Sequence, residues 1–157
     1  IGDTQFEWLI DNLATSNAPF KIVAIGGAVL NTSLRGEKWG ALYPGERDRL
    51  LRTIEQEGIP GVIFVHGDLH ITELTMLQRY GTYPLYDLTV SPLTSGTDGE
   101  DADPANTLRV PDTYVGERNF AVFEFTGPRK DRVLAIHIYD VKGVEKWTRE
   151  IRETELK

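Results

Sequence analysis

An acid and an imidazole stand two residues apart, directly after a short apolar run. The run, residues 62–65, has the β-branched and aromatic make-up of a strand buried on both faces, and Gly67, Asp68 and His70 follow it. If the chain stays extended, the side chains of Asp68 and His70 point to the same side. A carboxylate oxygen and an imidazole nitrogen at the end of a buried strand are typical of a divalent-metal site. The competing interpretation is that Asp68 caps a helix and His70 lies on the surface.

Three further residues near this pair or of the same type need an assignment. Glu73 follows His70 by three residues, so it either accepts a hydrogen bond from the second ring nitrogen of His70 or is a first-turn glutamate of a helix. His66 alternates away from the side of Asp68 and is the weaker site candidate. His137 lies between two isoleucines in a strand pattern, which favours a partly buried histidine with satisfied hydrogen bonds.

The elements that must position these residues follow from apolar periodicity. A capping box formed by Thr4 and Glu7 predicts a helix over residues 4–15, and a second amphipathic pattern predicts a helix over 44–58. Apolar runs predict strands at 20–25, 62–65 and 85–90, and residues 71–80 are expected to form a short helix. Beyond a polar loop over 91–112, two alternating strands at 119–125 and 132–140 form a hairpin, and 144–151 adds a strand or a helical turn. The pattern predicts an α/β fold, one domain over residues 1–157, whose mixed sheet passes into antiparallel β-strands.

Composition excludes several classes of function. The 157 residues carry a formal charge of −7, which argues against binding to a nucleic-acid backbone. The chain contains no cysteine, so disulfides, zinc knuckles, iron–sulfur clusters and thiol nucleophiles are excluded. No apolar run is long enough to predict a membrane span. Fingerprints of serine hydrolases, P-loop NTPases and dinucleotide-binding proteins are missing as well.

Two further segments have weaker chemical interpretations. The acidic run over residues 98–103 does not match the spacing of a calcium loop and is expected to be a solvated loop. Four aromatic residues either line a pocket for an organic group or belong to the core and its rim: Trp39, Tyr43, Tyr80 and Tyr83.

Four stretches, taken in order, resemble the alkaline phosphatase D (PhoD-like) group of metallophosphoesterases. The first is the Gly2–Gln5 segment with Trp8 and Leu9, followed by Leu13, Ser16, Ala18 and Lys21. The second combines Trp39 with the Tyr-Pro-Gly-Glu-Arg sequence at 43–47. The third is the segment from Phe64 to Glu73, which is similar to a Ser-Gly-Asp-x-His-x-x-Glu motif, and the fourth is residues 88–96. The closing strands of the family resemble residues 119–147.

The resemblance implies a fold, an activity and a set of cofactors. The fold would be half of a four-layer α/β/β/α metallophosphoesterase sandwich, and the activity would be hydrolysis of phosphomonoesters or phosphodiesters by a metal-bound hydroxide. Asp68 and His70 match the motif and would be metal ligands or would touch a metal-bound phosphate. The full-length enzyme would hold two divalent ions, with zinc, manganese, iron and calcium as candidates, and its substrate would be a small phosphoester. Family members are frequently exported, which points to a periplasmic or secreted location.

The chain departs from the family pattern, and the departures keep a second hypothesis open. The amino-terminal ligand motifs of the family are absent, and the chain opens at Ile1 without an initiator methionine, so it is expected to be the carboxy-terminal part of a longer catalytic domain. Such a fragment would bind metal weakly, would be inactive, and would expose apolar surface that favours self-association. Gly26-Gly27-Ala28 also replaces the polar residue expected after the first strand. The alternative function is a non-catalytic α/β ligand-binding module with a structural Asp68/His70 pair.

Overall fold

The computed structural model describes residues 1–34, 38–98 and 102–157. Along these ranges three helices and seven strands are followed by a final 3-10 turn. The helices are α1 (Asp3–Thr15), α2 (Trp39–Leu42) and α3 (Pro44–Gln56), and the 3-10 turn is Glu153–Leu156. The strands are β1 (Lys21–Ala24), β2 (Val62–His66), β3 (Thr72–Leu77), β4 (Leu85–Val90), β5 (Asn119–Thr126), β6 (Val133–Asp140) and β7 (Glu145–Arg152). Every helix in these ranges is too short or too polar to cross a bilayer.

Two sheets form the fold. The first has the order β1-β2-β4-β3, in which β1, β2 and β4 are parallel and β3 runs antiparallel to β4. The second is the antiparallel sheet β5-β6-β7. Residues of both sheets and of α1 and α3 share one hydrophobic core. The prediction of an α/β fold with a mixed sheet and antiparallel strands is therefore confirmed.

Helix α3 leads into β2, an inner strand of the mixed sheet, and local residues set both ends of this helix. Pro44 is the first residue of α3, where its missing N–H costs nothing. The Ile59 amide donates to the Ile54 carbonyl and Gly58 adopts φ 60°, which is the usual glycine-dependent end of a helix. The chain then enters β2, whose first three residues are fully buried. The predicted helix at 44–58 and the strand at 62–65 are therefore both confirmed.

Two local expectations are wrong. The first helix begins at Asp3, directly after Gly2, so Thr4 lies inside α1 and does not cap it. Residues 72–77 form β3 and not a helix, because four consecutive side chains from Thr72 to Thr75 are buried and their backbone pairs with β4. Tertiary pairing of this kind overrides the helix propensity of glutamate, leucine and methionine.

The two edge strands of the mixed sheet differ. The outer side of β3 is covered by the segment 108–115, through hydrogen bonds between Thr72 and Val115 and between Leu74 and Val110. Strand β1 forms the other edge, and two apolar side chains near it are exposed, Ile22 by 40% and Trp8 of α1 by 62%.

Candidate functional site

The carboxyl ends of three parallel strands meet at one edge of the mixed sheet. The segments that leave β1, β2 and β4 there are residues 25–31, 67–71 and 91–98. In open α/β sheets, ligands bind outside the carboxyl ends of the strands. This edge, which we call the carboxyl edge, contains Asp68 and His70.

Asp68 and His70 both adopt left-handed backbone conformations, with φ values of 68° and 55°. The chain is therefore not extended between them, and the expectation that an extended backbone aligns their side chains is wrong. Asp68 is exposed and His70 is half-buried. The Nε2 atom of His70 lies 3.4 Å from the Ser95 hydroxyl. The backbone carbonyl of His70 accepts a hydrogen bond from the Asp98 amide at 3.2 Å. His70 is thus joined to the segment that follows β4.

A buried acid lies beneath the carboxyl edge and holds the segment after β1. The Oδ2 atom of Asp87, in β4, accepts hydrogen bonds from the amides of Val29 at 2.8 Å and Leu30 at 2.7 Å. Its Oδ1 atom lies 3.4 Å from Nε2 of His66, in β2. Asp87 therefore connects three segments that belong to the same edge.

The hydrogen bonds of His66 assign a hydrogen to one of its ring nitrogens. Nδ1 lies 3.2 Å from the Gly67 carbonyl oxygen, which can only accept, so Nδ1 carries a hydrogen and donates it. Nε2 is then the atom that faces Asp87 and the Thr89 hydroxyl, the latter at 2.9 Å. The sequence pattern favours His70 over His66 because it does not contain the pairing of β2 with β4, which sets His66 opposite Thr89.

Substitution of Asp87 by Asn is expected to flatten the pH dependence of the free energy of unfolding. Burial raises the pKa of the Asp87 carboxyl above its ordinary value of 3.8, although His66 and the Leu30 and Val29 amides oppose the effect. The folded state therefore holds a proton that the unfolded chain has lost, so stability falls as pH rises from 3.8 through the folded-state pKa. Asn cannot ionise and lacks this decline, while its carbonyl oxygen still accepts the two amides. Urea unfolding from about pH 4 to pH 8 measures both slopes, and identical slopes would contradict the expectation.

Glu73 is fully buried in β3 and is surrounded by donors from other segments. Its Oε1 atom accepts from Asn31 Nδ2 at 2.7 Å and from Asn106 Nδ2 at 2.8 Å, and its Oε2 atom accepts from Arg109 Nε at 2.5 Å. Glu73 lies in a strand and its carboxylate is bound by these three side chains, so neither the first-turn interpretation nor the pairing with His70 holds. It ties the segments around residues 31 and 106 to the mixed sheet.

The remaining candidates lie apart from one another. His137 is half-buried on the antiparallel sheet, as expected, and its Nδ1 lies 2.8 Å from the Thr148 hydroxyl and 3.2 Å from Glu145. Its Nε2 atom is buried without a hydrogen-bond partner among the residues that the structure describes, so the expectation of a fully satisfied histidine is wrong. In the acidic run, residues 99–101 fall outside the described ranges, and Asp103 accepts from the Ser33 hydroxyl at 2.6 Å. Trp39 and Tyr43 line a cleft of about 330 Å³ with residues 26 and 27, whereas Tyr80 is exposed and Tyr83 is buried.

Asp68 and His70 fit a divalent cation in the type of donor, since carboxylate oxygen and imidazole nitrogen suit zinc, manganese and iron. They fall short of a complete site in number. In the described ranges, no group of three or more His, Asp, Glu or Cys side chains is placed to hold a metal ion. Within the described residues, Asp68 and His70 therefore match a divalent cation in donor chemistry but do not by themselves make up a complete set of ligands.

Comparison with known proteins identifies the family. The family model described as PhoD-like phosphatase matches residues 1–127. Among curated proteins no match was found. A solved structure of PhoD is similar, with a TM-score of 0.64 and 18% sequence identity over 96% of this chain and 35% of that chain. The chain therefore spans about a third of the length of that structure, and the likeness extends into the antiparallel sheet beyond residue 127. The chain belongs to the PhoD-like phosphatase family.

Proposed function

We propose that this chain forms part of a metal-dependent phosphohydrolase, and that Asp68 and His70 contact its divalent ions or a phosphate bound to them. In this proposal the full-length enzyme holds two divalent ions and acts on a small phosphomonoester or phosphodiester. The assignment of these residues rests on their backbone conformation. Asp68 and His70 are two non-glycine residues in left-handed conformations, and they follow the carboxyl end of β2 within three positions of each other.

A left-handed backbone is uncommon at non-glycine residues, and although Asp and His adopt it more readily than most, two such residues so close together persist only where the surrounding structure enforces the conformation. Here the segment is fixed on both sides. The Leu69 amide donates to the Gly67 carbonyl at 2.8 Å, and beyond the pair the Thr72 amide donates to Val115 at 2.9 Å. The Thr72 hydroxyl donates to Asn119 Oδ1 at 2.6 Å. Strained residues cluster at catalytic and ligand-binding sites, which supports a functional role for Asp68 and His70.

Each side chain has a defined part in the proposed chemistry. A divalent ion bound here would supply a hydroxide at neutral pH and would neutralise charge on the phosphate. Asp68, being exposed, offers an anionic oxygen at little cost in desolvation. His70 offers a ring nitrogen whose orientation is restrained by Ser95. Because two ligands hold a metal weakly, we also propose that residues 1–157 alone show little turnover.

Removal of either ligand is expected to lower both metal affinity and turnover. The test uses the protein at its full natural length, with Asp68→Asn and His70→Asn, because Asn tolerates a left-handed backbone and preserves the fold. We expect the affinity for Mn²⁺, measured by calorimetry, to fall at least about tenfold, and turnover of p-nitrophenyl phosphate to fall with it. Asp112→Asn is the matched control, since Asp112 is also an exposed aspartate with a positive φ of 62°.

The outcomes separate the parts of the proposal. If both variants keep the affinity and turnover of the wild type, Asp68 and His70 are not ligands, whatever the reaction. If the wild-type protein neither binds Mn²⁺ nor hydrolyses phosphomonoesters or phosphodiesters, the phosphohydrolase proposal fails. The alternative of a non-catalytic ligand-binding module then remains, with the cleft at Trp39 and Tyr43 as its first candidate site.

A further inference from the structure

A basic cleft lies at the opposite edge of the mixed sheet from Asp68 and His70. Its volume is about 680 Å³, and it lies among the start of β1, the segment before β2, the β5–β6 turn and the last residues of the chain. Among the residues that the structure describes, five cationic side chains and one carboxylate, Glu153, line it, which gives a formal charge of +4, whereas the whole chain carries −7. The cationic residues are Lys21, Arg129, Lys130, Arg132 and Lys157.

Lys21 is the least exposed of these cations. Only 6% of it is exposed, and its Nζ atom donates to the carbonyls of Pro60 at 2.8 Å and Ala18 at 3.1 Å. These two acceptors are neutral, and burial lowers the pKa of the Lys21 ammonium. A buried cation without a countercharge is costly, and an anion in the cleft would offset that cost.

The carboxylate that lines the cleft in the described part of the chain, Glu153, is already neutralised. Glu153 Oε1 accepts from Lys157 Nζ at 2.6 Å, and Glu153 Oε2 accepts from the backbone amide of Arg132 at 3.2 Å. The positive charge of the other four cations therefore has no balance within the cleft. Arg129 and Lys130 lie on the exposed β5–β6 turn, where their ends are accessible to a ligand.

We propose that this cleft binds a small polyanion that bears two or more phosphate groups. Guanidinium groups bind phosphate through paired N–H donors and lysines bind it as point charges, and the cleft combines both. The net charge of −7 disfavours a long polyanion, which would extend beyond the cleft into a repulsive field. Lys21 begins β1 and Asp68 follows β2, so the length of a five-residue strand, about 17 Å, separates the cleft from the carboxyl edge. The proposal does not depend on phosphohydrolase activity.

The test is calorimetric titration of the full-length protein with tripolyphosphate in the presence of EDTA, which removes metal from the carboxyl edge. We expect saturable binding with one ligand per chain that weakens as salt is raised. The double variant Arg129→Gln/Lys130→Gln should lose at least about tenfold in affinity. The matched control is Arg52→Gln/Lys142→Gln, which removes two exposed cations outside the cleft and should bind like the wild type.

Two more variants define the location. Lys21→Met should abolish binding. Because the Lys21 ammonium also binds the carbonyls of Ala18 and Pro60, the melting temperature of this variant must be measured to show that it is still folded. Asp68→Asn should leave the affinity for tripolyphosphate unchanged. Absence of saturable binding, or equal affinity in the Arg129/Lys130 variant and its control, overturns the proposal. Sulfate that competes equally at matched ionic strength, or a single-stranded oligonucleotide that binds more tightly than tripolyphosphate, overturns the assigned ligand class.

Discussion

Gly61→Ala is expected to destabilise the fold by more than about 3 kcal/mol, because backbone strain and a steric collision act at the same residue. Gly61 adopts φ 77°, a conformation that a side chain disfavours, and an added Cβ would collide with the carbonyl of Pro19. Its own backbone groups are also in use, since its carbonyl accepts from the Lys21 amide at 2.7 Å and its amide donates to Leu156 at 2.9 Å. The substitution therefore separates the starts of β1 and β2, and the loss appears in the urea midpoint.

Gly58→Ala separates backbone strain from collision. Gly58 also has a positive φ, 60°, but no atom of another segment lies within 4 Å of an added Cβ. We expect this control to cost only about 1 kcal/mol, the ordinary strain of a left-handed alanine. If both variants lose the same stability, the close approach of Pro19 to Gly61 does not contribute.

Glu73→Ala is expected to cost about 3–5 kcal/mol, the usual effect of breaking a buried ion pair by removal of one partner. Glu73 is 1% exposed, and its loss would leave Arg109 Nε and the side-chain amide of Asn31 without their acceptor. Asn106 Nδ2 would lose one of its two acceptors and keep the Thr75 hydroxyl at 3.0 Å. Unfolding in urea measures the difference in free energy. Glu73→Gln should lose less, because an amide oxygen still accepts although the charge that balances Arg109 is gone.

The matched control for Glu73 is Glu124→Ala. Glu124 is a strand glutamate whose side chain is 60% exposed and lies 3.6 Å from His137. An exposed pair of this kind contributes less than about 1 kcal/mol. A Glu73 variant no less stable than the Glu124 variant would show that the buried cluster does not hold the segments around residues 31 and 106 to the mixed sheet.

The local sequence pattern was sufficient to predict those helices and strands whose own residues mark their ends and their buried face. Pro44, the stripe formed by Leu50 and Ile54, and Gly58 define α3, and the apolar run at 62–65 identifies β2. The prediction of a helix over residues 71–80 is wrong because the conformation of residues 72–77 depends on remote segments. The charge of Glu73 is tolerated in the core only because Asn31, Asn106 and Arg109 arrive from 42, 33 and 36 residues away.

The candidate site was predictable in its residue types and its edge of the sheet, but not in its geometry. Asp and His both tolerate positive φ better than most residues, so their sequence is compatible with an extended or a left-handed segment. Contacts with surrounding segments determine which of the two conformations forms. These contacts include the backbone hydrogen bonds between Thr72 and Val115 and the contact of His70 with Ser95. The pairing of His66 with Asp87 likewise depends on the adjacency of β2 and β4, which no local pattern contains.

The unequal edges of the mixed sheet have a consequence for its growth by strand addition. Unpaired backbone groups on an edge strand are a template for another strand. At β3 this template is already used by the segment 108–115, which closes that end of the sheet. At β1, within the described residues, only the side facing β2 is paired, and exposed Ile22 and Trp8 flank the other side. Another strand, from this chain or a different one, can therefore extend the sheet only at β1, and the brevity of that strand, four residues, limits how firmly an incorrect partner is held.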